Sequence, residues 1–373
     1  MNIIETKDFL TRLWHLDNDE RPGFIIGNVG GAMIGGTSVR SALFSTEGID
    51  TVRARLQDPE KYYRAQCEEI DGQVKLRGDY VPALCPSLGV VAIPSAFGCA
   101  VKWHERDFPA ALEVPGDDPI KVYALPAPAV TDGELHRVME YTKFFIERSK
   151  GSLPIRLTDI QGPLDSAALV MGHNNFLLAL RTNPAEAHHL LKLVTRLTID
   201  AAMAQREIVR SRGVEFVPSM FQPWMPDGFG ISVSNDECVM MSAEEHDEFS
   251  VPYLSQISEA FGGIYIHSCG AWAHQIPSVE KVHQLRGLEF GASEAPYEPV
   301  IRHFNGKIML AARIGLHRDL KFNGMADFVR KIRHTASSNR GLFIHVDITN
   351  GIVDDTWPVT DLNEIYKEVG LNE

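Results

Sequence analysis

The chain has 373 residues, enough for one large barrel or two smaller units, and its 44% hydrophobic content supplies a sizeable core. Its 49 acidic and 36 basic residues leave a formal charge of −13, which repels phosphate backbones and argues against nucleic acid as a partner. Five cysteines, at 67, 85, 99, 238 and 269, are odd in number and never spaced CxxC, a usage that suits a reducing, cytoplasmic compartment rather than a disulfide framework.

The first residues, MNIIETKDFLTRLWHLDNDE, carry acids early and no long apolar stretch, so no secretory signal is expected there. The first strand signal is GFIIG, Gly23–Gly27, running into the glycine-rich GNVGGAMIGGTS. That loop is not GxGxxG, and Gly36 stands where a phosphate-binding loop needs lysine, so a close-approach loop is expected rather than a nucleotide site. Tyr80 to Val101 is uncharged and long enough to span a bilayer, but Pro82, Pro86 and Pro94 interrupt it. It reads as buried strand and loop lining a cavity, with a strand at Leu88–Ile93; no membrane partner is expected.

Six further strand signals follow: Pro154–Ile160, Gly213–Met220, Gly262–His267, Leu285–Gly291, Lys307–Arg313 and Gly341–Asp347. Amphipathic helical stretches separate the later ones. The segment after Asn183 has Pro184 near its start and Gly213 beyond its end, and that from Ser242 opens with acids and stops at glycine. The segment from Ala326 ends in basic residues and Gly341. Alternating strands and helices imply a parallel sheet, and eight such units predict an α/β fold, a (β/α)8 TIM barrel. One domain over 1–373 is expected, with an irregular, embellished N-terminal part to about 130 and regular βα units from 131 on. An open doubly wound sheet is the alternative.

In a barrel the chemistry sits at the carboxyl ends of the strands, and that rule selects the candidate residues. Asp159 and Gln161, two apart, share a strand face, with a turn cluster feeding the next helix as the plainer reading. The stretch Ser219–Glu237 reads as a long loop, and its Gln222, Trp224, Asp227 and Asp236 suit a flat or polar ligand. In GGIYIHSCGAW, His267 and Cys269 stand at i and i+2, so a strand points both the same way. Imidazole and thiolate together suit zinc, although a bare HxC is more often a buried cysteine beside a satisfied histidine. Glu289, Glu294, His317, His345 and Asp347 lie at other strand ends and are candidates to complete a shell.

SNDECVMMSAEEHDEFSVPYLSQISEAFGGIYIHSCGAWAHQIPSVEKVHQLRGLEFG resembles the uroporphyrinogen decarboxylase superfamily, and so do DIQGPLDSAALVMG and SAFGCAVKW. The resemblance runs from about Val81, is most specific from Asn235 to Gly291, and is closest to a branch similar to the methylcobalamin:coenzyme M methyltransferases. It implies a (β/α)8 barrel. The decarboxylases hold a porphyrinogen with arginines of a motif resembling Arg-Pro-Pro-Val-Trp-Met-Arg-Gln-Ala-Gly. Here Arg21 and Pro22 remain, but Ile26 and Gly27 stand where the next arginine is expected.

The methyltransferase branch implies zinc held by a His-x-Cys, matched by His267 and Cys269, and by a later cysteine, which GLFIHVDITNG lacks. Glu289, His345 or Asp347 would then complete the metal shell, and Gln161, Gln222, Trp224 and Asp227 would shape the substrate pocket. The expectation is a zinc-dependent methyltransferase moving a methyl group between a corrinoid, carried by a corrinoid protein, and a small acceptor. A homodimer is expected. One alternative is a decarboxylase of porphyrin biosynthesis in which Asp159 or Asp236 acts on a pyrrole nitrogen. The other is a non-catalytic ligand-binding barrel.

Overall fold

The structure, a computed structural model, describes residues 2–27, 51–112, 119–314, 322–346 and 362–371. In chain order its strands are β1 (Gly23–Ile26), β2 (Val101–Lys102), β3 (Ala110–Ala111), β4 (Ile155–Arg156), β5 (Phe216–Val217), β6 (Ile231–Ser234), β7 (Ile264–Ser268), β8 (Leu285–Gly291), β9 (Met309–Arg313) and β10 (Leu342–Val346). Six of them form a parallel sheet in the order β1-β10-β9-β8-β7-β6, and β4 pairs with β5, also in parallel. The fold is α/β with a parallel central sheet. Backbone bonds connect these pieces: Leu84 N donates to Pro154 O (2.9 Å), Asp79 N to Phe24 O (2.7 Å) and Ser232 N to Pro218 O (3.0 Å).

Both faces of the strands are buried, as parallel sheets require, and alternate residues fall into two separate cores. Phe24 and Ile26, Ile264 and Ile266, Leu288 and Phe290, Leu310 and Ala312, and Leu342 and Ile344 pack outward against the helices. The residues between them, Ile25, Tyr265, Met309, Ala311 and Phe343, form an inner cluster. One end of that cluster is filled by the helix Ile3–Trp14, which buries Phe9, Leu10, Leu13 and Trp14 against it. Leu13 lies against the first residue of β1, and Asn18, just past the helix, accepts from Gly341 N before β10, so the helix covers the amino ends of the strands.

Helix boundaries follow local chemistry. Pro184–Arg210 starts on its proline. The stretch from Ser242 forms two helices, Ala243–Phe249 and Val251–Phe261. A capping box between Ser242 and Glu245 opens the first, and left-handed Gly262 closes the second. Pro252 lacks the N–H that would continue the first helix into the second.

Two expectations are corrected. Leu88–Ile93 is not a strand: it forms one bridge, Leu88 with Val90, and then enters the helix Ala92–Ala96. A short apolar run does not distinguish buried strand from buried helix, and its burial is what the sequence had right. Ser219–Glu237 is not all loop, because β6 lies within it, built from small alternating residues, ISVS. Among the described residues no helix is long and apolar enough to cross a membrane.

Candidate metal centre

The inner face changes from apolar to polar toward the carboxyl ends of the strands. Register places Ser234, His267, Glu289 and Ala311 side by side on β6 to β9, and two residues further Gly291, Arg313 and His345 on β8 to β10. Paired residues of parallel strands point to the same side, so His267 and Glu289 rise from the layer that also holds Ala311. Cys269 follows β7 directly. Asp236 follows β6 and opens the 3-10 turn Asp236–Met240.

These elements bring three potential ligand atoms together. One from each of Asp236, His267 and Cys269 lies within 4.8 Å of the others. His267 Nε2 is 3.1 Å from Cys269 Sγ and 3.8 Å from Asp236 Oδ1. Cys269 N donates to Asp236 Oδ1 (2.6 Å), which holds the carboxylate over the turn. Gly270, left-handed at φ +76°, donates its N–H to Glu294 Oε2 at 3.0 Å, so Glu294 braces the next residue of the same turn.

Glu289, fully buried, stands behind His267. His267 Nδ1 faces Glu289 Oε1 at 3.1 Å, and Arg313 Nε lies 3.1 Å from the same oxygen. A proton held on Nδ1 by Glu289 leaves Nε2, facing Cys269 and Asp236, as the nitrogen that a metal would take on displacing its proton. Phe221 stacks on the ring, centroids 4.5 Å apart, and fixes its plane. Burial works against charge on His267, but Cys269, Glu289 and Asp236 outweigh it and raise its pKa well above the ordinary value. Burial alone would raise Glu289, yet His267 and Arg313 hold it below its usual range. The nitrogen, sulfur and carboxylate donors are the types zinc takes, and the oriented imidazole fits such an ion.

Of the other predicted residues, Asp159 and Gln161 lie beside this group. Gln161 Nε2 donates to Asp159 Oδ1 (2.8 Å), and Ser234 Oγ lies 2.8 Å from Gln161 Oε1. Burial, with a contribution from Asp236, pushes the Asp159 carboxyl up to about 6. Gln222 lies below the site, where its carbonyl accepts from Tyr265 Oη at 2.5 Å and its Oε1 from Arg156 Nη2 at 3.3 Å.

Trp224 and Asp227 are not at the rim. They precede β6, at the amino end of that strand. Trp224 packs in the inner cluster and donates to Glu215 (2.9 Å), and Asp227 forms an exposed ion pair with Arg210. Overlooking β6 put them at the wrong end. His345 is turned away, donating Nε2 to Gly27 O (2.7 Å), and burial lowers its pKa to about 4. Glu289 backs His267 rather than joining the three-atom group. Asp347, His317 and all of the glycine-rich loop after Gly27 lie outside the described residues.

Sequence reasoning passed over Arg313, Phe221 and Asp165. Arg313 ends β9, so the strand-end rule applied to KIMLAAR would have found it. Asp165 acts on a segment about seventy residues away, and no local pattern marks it.

A methyltransferase from Methanosarcina mazei has a similar structure, with a TM-score of 0.64 over 98% of this chain and 97% of that one, at 14% identity. At that identity the likeness establishes the fold alone. A comparison with curated proteins finds no match. The family described as Uroporphyrinogen decarboxylase (URO-D) matches residues 81–218, a span that includes β4 and β5 and ends before β6, short of His267 and Cys269. The resemblance to the uroporphyrinogen decarboxylase superfamily read from the sequence is thus found independently, over residues 81–218 of this chain.

Proposed function

We propose that the chain is a zinc-dependent methyltransferase with a (β/α)8 barrel fold, moving a methyl group between a corrinoid on a partner protein and a small acceptor. The observation that carries this reading is the convergence of Asp236, His267 and Cys269 at adjacent strand ends. The backbone bonds from Asp79 to Phe24, Leu84 to Pro154 and Ser232 to Pro218 support a sheet that closes on itself. Asp236 would take the place left by the missing late cysteine.

Zinc held by these three residues would supply Lewis acidity, lowering the pKa of a thiol acceptor so that it attacks as thiolate. The chain's own residues prepare the place. Glu289 keeps the His267 proton on Nδ1, Phe221 fixes the ring plane, and the Cys269 amide fixes Asp236. Asp159, whose carboxyl feels Asp236 and His267, and its partner Gln161 would orient an acceptor and exchange a proton with it near neutral pH.

Porphyrinogen decarboxylation is less well supported. Arg21, retained from the decarboxylase motif, donates two hydrogen bonds to the Asp79 carboxylate (2.7 Å for each) and lies over Phe9 at the amino end of β1. It is committed there and faces away from the strand ends that carry His267.

Anaerobic purification followed by metal analysis tests the proposal. Stoichiometric zinc in the wild type, lost in Cys269→Ala, together with thiol-dependent demethylation of methylcobalamin followed in the visible spectrum, is the expected result. A metal-free protein that decarboxylates a porphyrinogen would overturn it.

A further inference from the structure

Asp165 lies in the first turn of the helix Pro163–Met171, and its carboxylate is buried, 4% exposed. It does not cap its own helix. Its Oδ2 accepts from Asp236 N (3.0 Å) and its Oδ1 from Glu237 N (2.9 Å), while Ser234 Oγ lies 2.5 Å from Oδ2. All three donors belong to the end of β6 and the turn that carries Asp236. Ser234 is also the register partner of His267 on β7.

Only a carboxylate can make this clamp. Two neighbouring backbone N–H groups need two acceptor oxygens, and an asparagine offers one oxygen and one competing donor. Burying a carboxylate is costly, and these contacts offset only part of that cost: burial and the nearby Asp236 still push the Asp165 carboxyl up to about 7. The clamp fixes the backbone of Asp236, whose side chain then accepts from the Cys269 amide and approaches His267. A chain of contacts thus runs from the helix after β4, through the turn after β6, to the strand end of β7.

We propose that Asp165 is a positioning residue for the metal centre, setting the place of Asp236 relative to His267 and Cys269 through the backbone of residues 236 and 237. This inference rests on the reading of those three residues as zinc ligands, but the positioning itself is measurable without metal.

The test combines two measurements on the wild type, Asp165→Asn, Asp236→Ala and the double variant. Hydrogen exchange on metal-free protein reads the Cys269 amide, which donates to Asp236 Oδ1. Faster exchange at Cys269 is expected in Asp165→Asn and in Asp236→Ala, and no further change in the double variant. Unchanged protection at Cys269 in Asp165→Asn would overturn the inference, whatever the protein binds. Zinc affinity, measured by competition with a chromophoric chelator, is expected to fall about tenfold in Asp165→Asn, with no added loss in the Asp236→Ala background. Equal losses in both backgrounds would show a merely structural effect and would also overturn it. A wild type that binds no zinc sinks the metal reading and leaves the exchange result to decide the positioning. If Asp165→Asn does not fold, Ser234→Ala removes one donor of the clamp and is expected to give the smaller change in the same direction.

Discussion

Glu289 illustrates how a residue can be found in sequence and its role missed. Its position at a strand end made it a candidate ligand, but its carboxylate faces His267 Nδ1 and Arg313 Nε, behind the imidazole rather than beside the sulfur. Glu289→Gln is expected to lower zinc affinity ten- to a hundredfold, measured by chelator competition, because the amide no longer fixes the tautomer of His267. Asp159 makes the second prediction at this scale. Its folded pKa is raised to about 6 from 3.8, so its favourable contribution is complete below the unfolded value and is lost as pH rises through about 6. That shift corresponds to about 3 kcal/mol. Asp159→Asn keeps the acceptor for Gln161 and removes the penalty. Metal-free variant and wild type should match in urea stability near pH 4, and the variant should exceed the wild type at pH 7. Equal stabilities at both values would contradict this. His267 and Cys269 were legible because two residues at i and i+2 announce themselves. The partners that aim them come from other strands, and no local spacing reports those.

At the level of elements, the sequence read best where patterns are strong. The helix Pro184–Arg210 and strand β8 fall where proline, glycine and the apolar run place them. Strand β6 was missed because its alternate positions are serines, Ser232 accepting from Met220 N and Ser234 lying against Asp165. That error carried Trp224 and Asp227 to the wrong end. Gly162, between β4 and the helix Pro163–Met171, shows how tightly β6 is held. A Cβ there would lie 2.0 Å from Ser234 O, so no side chain fits without moving the strand end. Gly162→Ala is expected to keep its secondary structure by circular dichroism while losing zinc, since Ser234 and Asp236 must shift together. Normal zinc content in this variant would argue that the site tolerates movement of β6.

For the whole molecule, the alternation of strands and helices predicted the parallel sheet, whereas its two cores emerge only in the structure. The sequence could not show that the helix Ile3–Trp14 completes the inner core, because its apolar stripe names no partner. Leu13, fully buried between that helix and the sheet, is expected to cost about 2–5 kcal/mol on replacement by alanine, read from denaturant midpoints. The same helix bears on traffic. Among the described residues, Phe9, Leu10, Leu13 and Trp14 stop the amino ends of the strands, so a molecule bound at His267 and Cys269 would use a doorway at the carboxyl ends. Donor and acceptor would share that doorway with their own products. Each product should therefore compete with incoming reactant for the same approach, and the order of arrival and departure would be set by geometry as much as by affinity.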